Sequence, residues 1–224
     1  GTAILHMDLD RFKQINDTMG HSAGDAMLKH VAGVLRQTIS ASDFVARIGG
    51  DEFVIVSRRF ANRSELTRLA DEIVNRLKQP VAYDDGWCRF GVSIGIATSD
   101  AGAEDGPQLL VNADLALYRA KQRGRSRFEF FDGALQLETL RNKVMADDIL
   151  RGLERDEFTA FYQPQFDART LEVVGAEALV RWNHPLLGTL APVAFFKIAE
   201  EINVVGAMDR IMLNKAVADQ AAMQ

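Results

Sequence analysis

The sequence predicts an α/β fold for residues 1–132, more specifically an α+β sandwich with a ferredoxin-like βαββαβ centre. Two apolar runs, at residues 3–9 and 90–97, are typical of buried strands. Residues 45–56 hold two short β-branched runs around Gly49 and Gly50, which predicts a hairpin because glycine adopts a positive φ without steric cost. Segments with helical spacing separate these strands, and the resulting order of elements fits this fold class.

Local signals define the helices of this half. The polar stretch 11–24 predicts a short turn or helix followed by a loop, and Ser22 or Asp25 is expected to cap the next helix. Ser64 and Thr67 together with residues 69–77 predict a further helix, which ends before Pro80, and another helix is predicted at residues 107–122, before Gly124. The strands of the hairpin are predicted at residues 40–48 and 53–57, and a last strand at residues 127–131.

The second half has a different pattern. A long helical stretch at residues 135–153 is expected to connect two domains or to begin the next one. Strand-like runs at residues 158–166 and 171–182 predict a hairpin, and helices are expected at residues 193–203 and 208–223. We therefore divide the chain into a domain at 1–132, a connecting helix at 133–150 and part of a second domain at 151–224.

Composition limits the possible functions. The net charge of −5 argues against general nucleic-acid binding. Cys88 is the only cysteine, so no internal disulfide is possible and a reducing, cytoplasmic compartment is expected. No apolar run approaches the length of a membrane span, and no signal peptide opens the sequence, so we expect no membrane contact in this segment. The abrupt first strand suggests a piece of a longer protein, whose upstream part is free to carry a membrane anchor.

Three carboxylates form the first candidate site. Asp8 lies at the end of the first predicted strand, while Asp51 and Glu52 lie at the tip of the hairpin. If the strand and the hairpin share a sheet, these groups converge, and converging carboxylates repel unless a cation separates them. Oxygen ligands without paired Cys or His select Mg²⁺ or Mn²⁺, which favours phosphoryl or nucleotidyl transfer. The alternative is a solvated turn with no chemistry.

A basic cluster and a polar pair form two further candidates. Basic residues at a helix C-terminus suit the helix dipole, so the cluster is either a structural feature or a phosphate clamp. Asn16 and Asp25 either read the edge of guanine or serve as turn and cap residues. The sequence has no P-loop pattern. The basic cluster comprises Lys121, Arg123, Arg125 and Arg127 around Gly124.

The three motifs together indicate one protein family more specifically than any single motif does. The segments MDLDRFKQINDTMGHSAGD, ARIGGDEF and NADLALYRAKQRGRSR resemble, in order and spacing, the GGDEF family of diguanylate cyclases over residues 1–132. The resemblance implies a fold close to the palm of nucleotidyl cyclases. It also implies the condensation of two GTP molecules into cyclic di-GMP with release of two pyrophosphates.

The resemblance also implies roles for individual residues. Asp8 and Asp51 match the metal-binding carboxylates, and Leu9 matches a main-chain carbonyl ligand. Glu52 is expected to assist the metal site or the deprotonation of the attacking 3′-hydroxyl. Residues matching the contacts to GTP are Asn16 and Asp25 for guanine, Lys121 and Arg125 with Arg11, Phe12 and Lys13 for the phosphates, and Gly49 and Gly50 for clearance at the hairpin tip.

Two departures from the family pattern affect these expectations. The inhibitory RxxD product site of the family is replaced here by Ser40-Ala41-Ser42-Asp43. Serine cannot make the bidentate guanidinium contact, so product inhibition through this segment is not expected. The family's DxLTGLxNR segment, which precedes the first strand, is also missing from this sequence.

Residues 161–164 (FYQP) and 177–182 (EALVRW) resemble the start of an EAL domain, a cyclic di-GMP phosphodiesterase with a TIM-like barrel. Glu177 matches its first metal ligand, and Gln163, Leu179 and Arg181 match its contacts to the cyclic dinucleotide. Residues 151–224 are far fewer than the ~250 of a full barrel. We therefore expect a truncated start of the barrel that cannot hydrolyse its substrate.

Two functions from different classes follow. The first is a Mg²⁺-dependent diguanylate cyclase that acts as a homodimer, because each module holds only one GTP. The second is a non-catalytic GTP-binding module that regulates cyclic di-GMP hydrolysis by the EAL domain of the parent protein. Phosphodiesterase activity is expected only in that full-length parent.

Overall fold

In this computed structural model, the structure describes residues 1–58, 60–84, 86–99 and 105–223. The chain divides into two compact units, Gly1–Gln136 and Leu137–Gln224. Within the described ranges, no helix is both long enough and apolar enough to cross a membrane.

A five-stranded sheet with the strand order β2-β3-β1-β6-β7 organises the first unit. Only β6 and β7 pair in parallel, and the other neighbours are antiparallel. Helices cover this sheet, and β4 and β5 form a separate two-stranded ribbon. The strands are β1 (Ala3–Asp10), β2 (Phe44–Arg47), β3 (Glu52–Ser57), β4 (Val81–Tyr83), β5 (Gly86–Cys88), β6 (Gly91–Thr98) and β7 (Phe128–Phe130). The helices are α1 (Phe12–Met19), α2 (His21–Thr38), α3 (Arg63–Leu77) and α4 (Gly106–Gln122).

Strand β1 lies at the centre of the sheet, and its two faces have different neighbours. Leu5, Met7 and Leu9 belong to the larger core, which includes apolar residues of α1, α2 and α3. Ile4 belongs to a second core with residues of α4, and Asp8 shares that face because side chains alternate along a strand. The same alternation therefore packs one face of β1 and presents carboxylates on the other.

Helix α4 is defined at both ends by its sequence. The Asp105 side chain caps the N-terminus by accepting from the Gln108 N–H at 2.9 Å. At the C-terminus, the N–H groups of Gly124 and Arg125 donate to the carbonyls of Lys121 and Ala120, which is a Schellman motif with glycine at φ 110°. The predicted stop at Gly124 is confirmed.

The predicted order of elements in this unit is confirmed, but several local predictions were wrong. The stretch 11–24 contains α1 and the start of α2, separated only by Gly20 at φ 84°. Helix α2 starts at His21 without a side-chain cap, so Ser22 and Asp25 lie inside it. Strand β2 is shorter than predicted, and the β4–β5 ribbon was missed because strands of three residues give no periodic signal.

The second unit combines most of a long helix with a three-stranded sheet of order β10-β9-β8. Phe158, Trp182 and Phe195 form its core, with the rings of Phe158 and Trp182 stacked at 5.2 Å between centroids. Its elements are α5 (Gly133–Glu154, which begins in the first unit), β8 (Phe158–Phe166), β9 (Val173–His184), β10 (Gly188–Leu190), a 3₁₀ turn (Pro192–Ala194), α6 (Phe196–Glu201) and α7 (Val205–Met223). Strand β10 was also missed by the sequence analysis.

Gly95 on β6 sets the distance between the sheet and α4. A Cβ atom there would lie 1.9 Å from the carbonyl oxygen of Ala113 and 2.2 Å from the Leu117 nitrogen. Gly95→Ala is therefore expected to lower the free energy of unfolding by about 3 kcal/mol. Gly33→Ala in α2 is the matched control, since its Cβ meets nothing within 4 Å. The control should gain about 0.5–1 kcal/mol. Urea unfolding of both variants checks this, and equal stabilities would contradict it.

Candidate functional site

Asp8 and Lys121 form an ion pair at the end of the central strand. The Lys121 Nζ atom lies 2.7 Å from Oδ2 of Asp8, and the side chain of Asp8 is only 16% exposed. Burial raises the pKa of the Asp8 carboxyl, and the charges of Asp51 and Asp10 raise it further. The hydrogen bond and charge of Lys121 act in the opposite direction. Burial thus outweighs the ion pair, and the ionised form of Asp8 is less favourable than that of a solvated aspartate.

The hairpin tip brings Asp51 next to this strand end. The Leu9 N–H donates to the Asp51 carbonyl oxygen at 3.2 Å, and Asp8 is directly opposite Glu52 in the β1–β3 register. Asp51 and Glu52 are both partly buried. The backbone of the tip therefore lies beside the end of β1, and the charge of Asp51 acts on Asp8.

Arg47 stabilises the tip, a role that no sequence pattern indicated. Its guanidinium donates to the carbonyl of Gly49 at 3.1 Å and to the carbonyl of Gly50 at 2.7 Å. Neither glycine has a positive φ, so that part of the hairpin prediction was wrong. A Cβ atom at Gly50 would meet nothing within 4 Å, whereas one at Gly49 would lie 3.1 Å from Oε2 of Glu52. The tip is thus open on the side of Gly50.

The donor atoms at this junction fit a hard divalent cation. Mg²⁺ usually takes one or two carboxylates and completes its shell with water and substrate phosphate. Asp8 and Asp51 supply such a pair, and burial, with a smaller contribution from the charge of Asp51, raises the pKa of Asp8. Within the described part of the chain, no three or more His, Cys, Asp or Glu residues form a group that could hold a metal by themselves. The convergence of Asp8, Asp51 and Glu52 into one metal-binding group, which the sequence analysis expected, is therefore not found among these residues.

Asn16 and Asp25 lie on adjoining helices, α1 and α2. The Asn16 side chain covers Gly24, where a Cβ atom would lie only 2.0 Å from Oδ1 of Asn16. Asp25 is exposed and lines an open cavity of about 440 Å³ between α2 and the β2–β3 hairpin. This cavity also contacts Arg47, so its far wall is the strand that leads to the tip. Its lining residues are Asp25, Leu28, Lys29, Ala32, Arg36, Val45, Ala46, Arg47 and Phe53.

The residues predicted to contact phosphate occupy two turns. Arg11 has φ 64° and precedes α1, in which Phe12 is buried and Lys13 is exposed. On the other side, Arg125 follows α4 with φ 62° and an exposed side chain. Arg123 is paired with Glu129 at 3.2 Å. Arg11, Lys13 and Arg125 are exposed next to the carboxylate-bearing strand, and the side chain of Arg123 is exposed but held by this ion pair.

The segment Ser40–Asp43 borders a different cavity, of about 350 Å³. Among the described residues that line it, Arg68 is the only basic one, whereas Asp43, Glu65 and Glu72 are acidic. This excess of carboxylates is unfavourable for a dianionic cyclic dinucleotide, in agreement with the missing arginine of the sequence pattern.

In the second unit, the four candidate residues share one face of the β8–β9 hairpin. Gln163 pairs with Glu177, while Leu179 pairs with Phe161 and Arg181 with Thr159. Trp182 and Phe158 lie on the opposite face, in the core. The guanidinium of Arg181 lies 5.5 Å from the centroid of the Phe161 ring. These residues therefore lie on one continuous surface, on which Leu179 and Phe161 are apolar.

The first 127 residues match a known family. The matching model is described as diguanylate cyclase, GGDEF domain, and it covers residues 1–127, more than half of the chain. The chain belongs to the GGDEF family. A second model, described as EAL domain, matches residues 146–224, so the GGDEF domain is followed by part of an EAL domain. The predicted resemblance to both families is confirmed.

Two curated proteins, a bifunctional cyclase/phosphodiesterase and a phosphodiesterase, are similar to this GGDEF protein. A bifunctional diguanylate cyclase/cyclic di-GMP phosphodiesterase, MucR of Pseudomonas aeruginosa, is 35% identical over 99% of this chain and 32% of its own length. The cyclic di-GMP phosphodiesterase NbdA of the same species is 34% identical over 98% of this chain and 28% of its own length. The chain thus spans about a third or less of these curated relatives.

A solved structure supports the predicted palm-like fold. The GGDEF domain of TpbB (YfiN) from Pseudomonas aeruginosa superimposes with a TM-score of 0.60 at 35% identity. The match covers 62% of this chain and 81% of that one. The predicted fold class is confirmed.

The raised pKa of Asp8 predicts that the wild type and the Asp8→Asn variant differ in stability by an amount that depends on pH. Because the folded state holds this proton more tightly than the unfolded chain, stability is lost as the pH rises through the folded pKa. Asp8→Asn removes the ionisation, so without divalent cations its melting temperature should exceed that of the wild type at neutral pH. The two should converge below about pH 4. Thermal melts across this range test it, with the exposed Asp17→Asn as control. A lower melting temperature for Asp8→Asn at neutral pH would contradict the prediction.

Proposed function

We propose that the GGDEF domain of this chain is a diguanylate cyclase that condenses two GTP molecules into cyclic di-GMP and releases two pyrophosphates. The observation that carries this proposal is the position of Asp51 beside Asp8, fixed by the hydrogen bond from Leu9 to the Asp51 carbonyl. Two carboxylates at an open, glycine-lined tip suit a metal–nucleotide complex better than they suit a structural turn.

In this proposal, Asp8, Asp51 and the carbonyl of Leu9 hold Mg²⁺, or Mn²⁺ in its place. The metal supplies charge neutralisation at the phosphates and lowers the pKa of the 3′-hydroxyl. Glu52, on the strand directly opposite Asp8, accepts the proton of that hydroxyl. Lys121 exchanges its contact with Asp8 for a phosphate oxygen when the nucleotide binds.

The remaining candidate residues bind and orient GTP. Asp25 accepts from N1–H and N2–H of guanine, and the Asn16 amide completes the recognition of its edge. The exposed basic side chains Arg11, Lys13 and Arg125 contact the triphosphate, together with the main-chain N–H groups at Phe12. A Cβ atom built at Gly50 would meet nothing within 4 Å, which supports the proposal that the nucleotide has room at the tip.

The reaction needs two modules. Each site binds one GTP, whereas the product contains two symmetric phosphodiester bonds, so two copies must face each other with both tips inward. We therefore propose a homodimer at the moment of catalysis. GTP as substrate also places the module in the cytoplasm. The EAL residues Glu177, Gln163, Leu179 and Arg181 are proposed to bind a metal and cyclic di-GMP in the full-length protein.

A second candidate function is a GTP-binding module without turnover that regulates the attached EAL domain. The ion pair between Lys121 and Asp8 favours it, because a lysine already neutralises the first metal carboxylate. The similarity to NbdA, whose name gives only phosphodiesterase activity, also favours it. GTP binding without product, together with GTP-stimulated hydrolysis of cyclic di-GMP by the full-length protein, would support this alternative over the cyclase.

The cyclase proposal is tested by incubating the protein with GTP and Mg²⁺ at concentrations that support dimers and measuring cyclic di-GMP by chromatography. Asp51→Ala is expected to lower turnover by about 100-fold or more, because it removes a metal ligand. The control is Asp17→Ala, an exposed acid on α1. Wild-type protein without product would refute the proposed activity, and unchanged turnover in Asp51→Ala would refute the metal assignment.

Guanine recognition is tested with Asn16→Ala. Loss of one amide contact should weaken GTP binding by about tenfold and leave ATP binding nearly unchanged. Thr18→Ala, exposed on the same helix, is the matched control. Dissociation constants for both nucleotides give the result. An equal loss for GTP and ATP would show that Asn16 acts only on the structure of the α1–α2 turn.

A further inference from the structure

Asp10 is a buried carboxylate that the proposed reaction does not use. It ends β1, two residues after Asp8, and is only 5% exposed. Its Oδ1 atom accepts from the Ser93 hydroxyl at 2.7 Å. Its Oδ2 atom accepts from the Ser126 N–H at 2.9 Å and from the Ser126 hydroxyl at 3.2 Å. Both oxygens are therefore bound by protein donors, which distinguishes Asp10 from Asp8.

The turn held by Asp10 has an unfavourable backbone conformation. Gly124, Arg125 and Ser126 have successive φ angles of 110°, 62° and 50°. Glycine adopts such angles freely, but the left-handed region is unfavourable for residues with a Cβ atom, such as Arg125 and Ser126. Such conformations persist only where surrounding contacts enforce them. The Schellman motif fixes Gly124 and the Arg125 N–H, and Asp10 fixes Ser126.

Gly91 on β6 provides the space for this contact. It pairs with Asp10 in the β1–β6 register. A Cβ atom at Gly91 would lie 2.1 Å from the Ser126 hydroxyl oxygen and 3.0 Å from Oδ2 of Asp10. Any larger residue at this position would displace Ser126 from the carboxylate. The strand end, the neighbouring strand and the turn therefore fit together as one local structure.

We propose that Asp10 is a positioning residue for phosphate binding. By holding Ser126, it forces the left-handed conformation of Arg125 and thereby directs the Arg125 guanidinium toward the triphosphate of the nucleotide bound at Asp8 and Asp51. This inference rests on the proposed function, in which Arg125 contacts phosphate. It gives the two acids of β1 different roles: Asp8 binds the metal, and Asp10 positions the cationic turn beside it.

The experiment is a double-mutant cycle with nucleotide affinity as the readout. Dissociation constants for GTP and for guanosine are measured with Mg²⁺ for the wild type, Asp10→Ala, Arg125→Ala and the double variant of the full chain. Asp10→Ala should weaken GTP binding by about tenfold and guanosine binding by less than about twofold. In the Arg125→Ala background, the additional loss from Asp10→Ala should be less than about twofold, because both changes remove the same contact. Additive losses, or equal losses for GTP and guanosine, would overturn the inference.

Two further variants separate positioning from general destabilisation. Ser126→Gly keeps the N–H donor and makes the left-handed conformation easy, so adding it to Asp10→Ala should recover part of the GTP affinity. No recovery would contradict the conformational role. Asp10→Asn keeps the shape of the side chain and replaces Asp10→Ala in the cycle if the alanine variant does not fold. Ser93→Ala is the matched control, since it removes a bond to Asp10 but leaves Ser126 in place.

Nucleotide binding tests the role of Asp10, whereas turnover tests the proposed cyclase function, so the two can fail independently. A wild-type protein that binds GTP but forms no cyclic di-GMP would refute the cyclase proposal, and the affinities of the cycle would still decide the role of Asp10. Hydrogen exchange of the Ser126 amide gives a readout that needs no nucleotide. Its protection should fall by about tenfold in Asp10→Ala, and unchanged protection would show that Asp10 does not hold the turn.

Discussion

The site depends on the charge balance of Asp8, a carboxylate held in a largely buried position at the end of the central strand. Burial makes its ionised form unfavourable, and Lys121 on α4 supplies the nearest opposite charge at 2.7 Å. For Lys121 to reach it, α4 must lie close to the sheet, which the small Gly95 permits, and must end at the correct turn, which Gly124 ensures. The ion pair thus relates the packing of a helix to the chemistry at a strand end.

Much of the fold was predictable because its signals are local and periodic. β1 and β6 are continuous apolar runs, and α4 carries its own cap, an early proline and a terminal glycine. The elements that were missed or misplaced lack such signals. Gly20 separates α1 from α2 in a stretch without apolar periodicity, and the ribbon of β4 and β5 has only three residues on each side.

The part of the candidate site that depends only on the pairing of β1 with the hairpin was predictable. The sequence analysis expected Asp8 and the hairpin tip to converge if the strand and the hairpin share a sheet, and the antiparallel register of β1 and β3 brings Asp8 opposite Glu52. The contacts made by Arg47 and Asp10 were not predictable, because they depend on which backbone atoms lie near them in the folded chain. The ion pair of Lys121 with Asp8 was missed for the same reason, since spacing cannot show whether a lysine contacts a ligand or a carboxylate.

The central position of β1 in the sheet has a consequence for how the protein acquires its site. Both partner strands, β3 and β6, follow β1 at long sequence separation, so β1 cannot complete any pairing until much of the domain has been made. Such non-local pairing gives a high contact order and slow folding, during which an apolar strand has both edges unpaired. The two carboxylates meet only when the hairpin docks on β1. Under the proposed function, nucleotide affinity would therefore report on completion of the sheet. A protein arrested before that step would be exposed to aggregation through the strand that carries Asp8.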